Sequence, residues 1–370
     1  MILTACARMV FQQHLNGDNM KKVMIAMSGG VDSAVTAHLI KKDGYSAAGA
    51  TVKMFDRSDP RFMTAPSQDI ADAKRVAALV GIEHYVFDYS EDFAKTVIDD
   101  FISSYLCGLT PNPCIVCNKS IKFGKLLEAA NDHGFSHIAS GHYAIIEKDA
   151  GGRFLLKKGK DEKKDQAYVL WSLSQYQLGH TLLPLGEFSK DEVRQIAEEM
   201  GFVNSRKKDS QDICFIPDGD YVSFLTRYSG LSFPKGNYID INGNILGEHQ
   251  GAVKYTTGQR KGLGIALGHP MYVCGKDMNA NTVTLGEESN LFSSSLNASN
   301  INFIAFEKLN APMKVEAKIR YSHKTATAIL EQTSENTFHL EFDSPQRAIT
   351  KGQSVVLYDG DYVLGGGIIE

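Results

Sequence analysis

Three short stretches of this chain concentrate residue types that do chemistry: SGGVDS at 28–33, TPNPCIVCNK at 110–119 and KKDSQDICFI at 207–216. The first combines two glycines, two hydroxyls and an acid. Residues 23–27 ahead of it read as a buried strand, and Val31-Asp32-Ser33 opens a helix that runs to about Lys42. A strand, a glycine turn and a helix N-terminus together make an anion site. Backbone N–H groups point outward, glycine lets a phosphate approach, and the helix dipole favours negative charge. Ser28 and Ser33 add hydroxyl donors, and Asp32 is the candidate ligand for a magnesium ion. No Lys-Ser/Thr follows the turn, so it is not a Walker A loop.

In the second stretch two prolines impose an extended approach. Cys117 is expected just ahead of a helix, with Lys119 and Lys122 following. A helix N-terminus and nearby lysines both favour thiolate, which is the environment of a nucleophile. C-x2-C is also half of a structural zinc site, but no second pair of Cys or His follows to complete one. Cys214, in the third stretch, sits in an apolar run behind a basic loop. Taken alone it reads as a core cysteine, as do Cys6, Cys107 and Cys274.

The elements that must position these residues follow from pattern. The chain has 370 residues, too many for one core, so two or three domains are expected. Residues 20–145 alternate strand-like stretches (46–54, 82–88, 135–139) with helix-like ones (68–80, 92–106, 119–131), which predicts a parallel sheet covered on both faces. Ligands bind such sheets beyond the carboxyl ends of strands. SGGVDS, Val52-Lys53 and Ser140-Gly141-His142 all fall there. Residues 166–202 read as helical. From about Asp220 the elements shorten and a basic glycine segment appears, GQRKGLG at 258–264. From about 285 the pattern is β, with short strands that suggest a small barrel.

Composition narrows the function classes. No apolar run approaches the length of a membrane span. Residues 1–19 hold one arginine and one acid in no arrangement typical of a signal or transit peptide, and Met20 is an alternative start. Six cysteines without framework spacing fit a reducing cytoplasm. With a net charge of −4, a nucleic acid would have to be held by local basic patches.

SGGVDS resembles the PP-loop of the N-type ATP pyrophosphatases, which split ATP into AMP and pyrophosphate. In order, SGGVDS, TPNPC-x2-CNK, Cys214 in DSQDICFI, YTTGQRKGLGI and the terminal LGGGII resemble the tRNA-specific 2-thiouridylases. The likeness runs from about Lys21 to the C-terminus. It implies an α/β fold: an N-terminal parallel-sheet PP-loop domain (20–218), a small central domain (219–284) and a C-terminal β-barrel (285–370). It implies ATP-dependent thiolation of uridine 34 in tRNA, with the uracil C2 oxygen adenylated and then displaced by sulfur. Residue by residue, Cys117 matches the nucleophile and Cys214 the persulfide carrier. Ala26, Met27, Ser28, Gly29, Gly30, Val31, Asp32 and Ser33 match the ATP loop, with Val52 and Gly141 lining the nucleotide pocket. Asn112, Pro113 and Cys114 would face the target base. His142, Lys164, Asp165, Gln166, Arg320, Tyr321 and Gln353 would contact tRNA.

The resemblance also implies ATP and Mg2+ as cofactors. Its partners would be tRNAs reading lysine, glutamate and glutamine codons and a sulfur donor such as a cysteine desulfurase or relay protein, with no membrane partner. One position departs from the pattern, since many relatives carry aspartate where this chain has Cys114. Three thiols, Cys114, Cys117 and Cys214, then admit an iron–sulfur cluster as an alternative to the plain persulfide route. Another PP-loop ligase and a non-catalytic metal-binding tRNA-binding protein are the competing readings. Neither needs a reactive cysteine pair.

Overall fold

The computed structural model describes residues 21–62, 68–202 and 212–370. The questions of residues 1–19 and of the basic approach at 207–211 fall outside them. The chain divides into two compact units. One comprises Met1–Phe55, Pro66–Ser90 and Asn118–Asp209, the other Asp56–Ala65, Glu91–Cys117 and Ser210–Glu370.

The first unit is built on a parallel sheet of β1 (Lys22–Ala26), β2 (Ser46–Lys53), β3 (Glu83–Asp88), β4 (His137–Ala139) and β7 (Thr181–Leu182). Their order is β3-β2-β1-β4-β7, and every pair is parallel. The chain fills the sheet outward from β1 in both directions, so the order reverses between β1 and β4. That is where a crevice opens at the carboxyl ends of an open α/β sheet. β1 is buried because both faces are covered: Val23, Met24 and Ile25 are fully buried. Helix Val31–Lys42 packs with Val31, Val35, Ile40 and the Ala73-Val76-Ala77 face of helix Asp69–Val80 in one core. Gly81 ends the latter helix in the left-handed conformation, as a C-terminal glycine does.

One stretch adds to expectation and one differs from it. Residues 144–158 form a hairpin of β5 (Ala144–Lys148) and β6 (Phe154–Lys158). Residues 166–202 are not one helical run. They break into a 3-10 turn (Ala167–Leu170), a short helix (Gln175–Gly179), β7, a second 3-10 turn (Pro184–Glu187) and helix Lys190–Glu199. Ser174 with Gln177 and Ser189 with Glu192 form two capping boxes that restart the chain.

The second unit holds two β structures. The smaller contains β8 (Gly236–Ile239), β9 (Ile245–His249), β10 (Tyr272–Asp277) and β11 (Thr282–Gly286), ordered β10-β11-β8-β9 around Tyr238, Tyr255, Val273 and Leu285. The larger contains β12 (Phe292–Phe303), β13 (Met313–Lys318), β14 (Ala326–Ser334), β15 (Thr337–Arg347), β16 (Ser354–Asp359) and β17 (Tyr362–Ile369). They run β12-β15-β14-β13-β16-β17, and β12 pairs back onto β17, which closes a barrel. Leu296, Leu330, Phe338, Leu340 and Val355 fill it. Closure pairs the first strand of the barrel with its last.

Candidate active site

The anion loop leaves β1 at Ala26 and enters helix Val31–Lys42 through Ser28-Gly29-Gly30. Gly29 has φ +74°, and a Cβ there would stand 2.5 Å from the carbonyl oxygen of Asp69, so only glycine fits. Gly30 is the N-cap and offers no side chain, which leaves the first N–H groups of the helix for an incoming anion. Ser33 is buried and turned inward: its hydroxyl donates to Gly30 O at 3.0 Å and accepts from Ser28 N at 3.3 Å. It stiffens the loop, whereas Ser28 is exposed. Met27 is tied to β2 through its N–H to Ala50 O and through the Thr51 hydroxyl to Met27 O. Val52 is half-buried on the same strand.

Asp32 does not stand open. Both carboxylate oxygens lie 2.8 Å from Lys190 Nζ, and the Tyr143 hydroxyl donates to Oδ1 at 2.7 Å. Lys190 is 5% exposed, and its ammonium also lies 5.7 Å from the centre of the Tyr143 ring. Gly141 backs directly onto Asp32. The carboxylate is thus matched by an ammonium and a phenol in this arrangement. The cation beside the loop is Lys190. Neither Lys190 nor Tyr143 belongs to one of the three motifs. The one signal was the Ser189-x-x-Glu192 capping box, which puts Lys190 at the first position of a helix, where its charge opposes the dipole.

Ser140 and His142 follow β4. The Ser140 hydroxyl lies 2.7 Å from His142 Nδ1, and the ring packs 5.5 Å from Phe123. Burial, aided by the charge of Lys122, holds His142 well below the usual histidine range, so the ring is neutral. It is a buried residue here, not an exposed contact. Asp165 and Gln166 also turn inward: Asp165 accepts from Gly159 N and Ala167 N, and Gln166 Oε1 accepts from Tyr143 N. They shape the loop that leads to Tyr143. Lys164 is half-buried beside them.

The cysteines are placed differently from expectation. The helix starts at Pro113, so Cys117 is its fifth residue rather than its N-terminal neighbour. Cys114 is the one in the first turn, and it is exposed, while Cys117 is buried. Asn112 caps this helix, its Oδ1 accepting from Cys114 N at 3.2 Å, and Pro113 is buried. The helical path continues with π geometry over Asn118–Lys125. Gln177 Nε2 donates to the carbonyls of Lys119 and Phe123 within this segment. Cys214 is exposed, and Phe215 beside it packs on Phe93, Phe101 and Phe224. Helix Pro113–Cys117 also packs against the segment Ala94–Ile98 that follows Phe93. Among the described residues no three Cys, His, Asp or Glu side chains converge closely enough to hold a metal ion. Cys114, Cys117 and Cys214 therefore do not fit an iron–sulfur cluster.

On the barrel, Tyr321 is 43% exposed just beyond β13, with Lys318 Nζ 5.5 Å above its ring and Arg320 beside it. Burial, then the charge of Arg320 and of Lys318, lowers the pKa of nearby His323. An exposed ring among cations suits phosphate contact and base stacking.

Three family models match in order along the chain. A tRNA methyl transferase HUP domain covers residues 21–218, a tRNA methyl transferase PRC-barrel domain 222–287, and an aminomethyltransferase β-barrel domain 293–369. A tRNA-specific 2-thiouridylase MnmA of Clostridioides difficile is 50% identical over 354 residues, covering 95% of this chain and 98% of that one. The chain belongs to the tRNA-specific 2-thiouridylase family. Further 2-thiouridylases from Clostridium kluyveri and Halothermothrix orenii are 48% and 47% identical, each covering 95% of this chain and 99% of theirs. The HUP and PRC-barrel labels say methyl transferase where these relatives are 2-thiouridylases, and identity over the whole length outweighs a domain label. Among solved structures, a 4-thiouridine synthetase–RNA complex with bound ATP matches at a TM-score of 0.34 and 17% identity, covering 56% of this chain and 50% of that one. That likeness is too loose to bear on function. Among the described residues no helix of this 2-thiouridylase family member is long and apolar enough to cross a membrane.

Proposed function

We propose that this protein thiolates uridine 34 of tRNA at C2, using ATP to activate the base and a cysteine persulfide to supply sulfur. The observation that carries the reading is an anion loop at the reversal point of a parallel sheet, in a chain with full-length kinship to 2-thiouridylases. The C2 oxygen of uracil is a poor leaving group. Attack of that oxygen on the α-phosphate of ATP expels pyrophosphate and leaves an adenylated base. The anion loop holds the phosphates, and Lys190, kept beside it by Asp32, is the cation available to the charge that develops.

The terminal sulfur of a Cys214 persulfide then attacks C2, and AMP departs with the former C2 oxygen. The Cys117 thiolate attacks Cys214 Sγ, breaks the S–S bond to the transferred sulfur and releases 2-thiouridine. This leaves a Cys117–Cys214 disulfide, which an external dithiol must reduce by two electrons before a donor protein recharges Cys214. Burial of Cys117 supports this assignment, because a second-step thiol gains from protection until the base arrives. Asn112, Pro113 and Cys114 at the start of its helix are the proposed base-facing residues. The work is done in the cytoplasm, on tRNAs for lysine, glutamate and glutamine.

The test is mass analysis of nucleosides from tRNA incubated with enzyme, ATP and a sulfur donor, alongside pyrophosphate release. Cys117→Ser and Cys214→Ser are each expected to lose 2-thiouridine while tRNA-dependent pyrophosphate release continues. Full thiolation by either variant would overturn the persulfide route, and ATP turnover with no 2-thiouridine in the wild type would favour another PP-loop ligase.

A further inference from the structure

The turn between β15 and β16 grips the approach to the cysteine helix. Lys351 O accepts from Thr110 N at 2.9 Å, and Gln353 Nε2 donates to Thr110 O at 2.7 Å. Both backbone groups of one residue are thus held by one turn. Gly352 between them has φ +87°, and a Cβ there would stand 2.8 Å from Leu109 Cβ and from Thr110 N, so the two chains meet at closest approach. The turn itself is firmly seated. Gly352 N donates to Ile369 O, Ile369 N to Gln353 O, and Gln353 N to Thr350 O.

Thr110 is the residue worth gripping. Upstream, helix Asp99–Leu106 ends in a run of backbone bonds through Leu109. Downstream, Pro111 and Pro113 fix their own φ, and Asn112 caps the helix. Thr110 is the joint between two stiff pieces. Holding its N–H and C=O sets the angle at which the Cys114–Cys117 helix leaves.

We infer that Gln353, with the 351–353 turn, is a positioning residue for the cysteine helix: the barrel sets the placement of Cys117 through Thr110. Gln353 is half-buried and gives one of its two amide N–H groups to Thr110 O. The inference rests on Cys117 being the nucleophile, and the test separates the two ideas.

The rate of Cys117 alkylation by iodoacetamide is read by mass spectrometry on the ligand-free full chain, with half-buried Cys274 as the internal reference. Gln353→Glu places an oxygen against the Thr110 carbonyl, whereas Gln353→Lys keeps an N–H donor. Loss of one hydrogen bond should raise Cys117 alkylation roughly three- to tenfold in Gln353→Glu, with Gln353→Lys close to wild type. Sulfur transfer should show a lower kcat at an unchanged KM for tRNA in the same order. Equal alkylation in the Glu and Lys variants would overturn the inference, as would a raised KM for tRNA at unchanged kcat and alkylation. Activity that survives Cys117→Ser would instead remove the functional reading, whatever the alkylation shows.

Discussion

Lys190 and Asp32 meet at 2.8 Å with the lysine almost wholly buried, a pairing that ties helix Lys190–Glu199 to the anion loop. Removing one member leaves the other charge without its match. Lys190→Met should therefore destabilise by roughly 2–3 kcal/mol, below the figure for a fully buried pair because Asp32 keeps some solvent. The double variant Asp32→Asn with Lys190→Met should recover much of that stability in a denaturant titration. It should not recover pyrophosphate release, because the cation beside the phosphates is gone. If the double variant turned over ATP normally, the pair would be structural alone. His142 makes a second prediction. Its folded-state pKa is depressed by burial. Below the ordinary histidine pKa the unfolded chain binds a proton that the folded protein refuses, so stability is present above that value and falls with pH beneath it. A His142→Gln variant should flatten the acid limb of a melting-temperature profile below about pH 6.5, where the histidine of the unfolded chain takes up its proton. An unchanged limb would mean that other groups cause it.

At the scale of the element, the cysteine helix is short and depends on its ends. Five residues of α-helix, Pro113–Cys117, start with a proline in the first position and an asparagine cap. Asn112→Ala should cost about 1 kcal/mol. It should also lower thiolation more than Asn112→Asp, which keeps the cap. Equal losses in both would indicate that Asn112 acts on the base directly. The prolines and the asparagine were readable in sequence. The helix starts at Pro113, ahead of the start expected after Cys117, because its cap, Asn112, lies before Cys114 rather than near the lysines that follow Cys117. The same kind of signal would have divided residues 166–202 correctly, since Ser174 and Ser189 each stand three residues ahead of a Gln or Glu.

For the whole molecule, a net charge of −4 must still accommodate a polyanion. Local cations are available at the end of β13, where Lys318 and Arg320 flank exposed Tyr321. Affinity for tRNA should fall steeply with salt. Changing Lys318 and Arg320 together to alanine should reduce the slope of log K against log salt by about 1–2, with ATP turnover per bound tRNA preserved. A slope unchanged in filter binding across a salt series would place the RNA elsewhere. The barrel carrying this patch was half legible. β13 to β16 alternate or are rich in β-branched residues, and the pattern predicts them. β12 and β17 close the barrel yet read poorly. One is rich in serine and asparagine, the other carries three successive glycines, and both are selected for close pairing across the seam rather than for β propensity.

The sequence by itself determined the parallel sheet and the anion loop, because each is written in adjacent residues. A strand, a turn and a helix N-terminus are local, and their geometry follows from glycine, apolar runs and caps. Tertiary structure decided what those residues face. Asp32 meets a lysine 158 positions away, Gln353 meets a carbonyl 243 positions away, and His142 is sealed against Phe123. No local pattern encodes such pairings, since they arise only when separately determined elements pack and each buried polar group must find a partner.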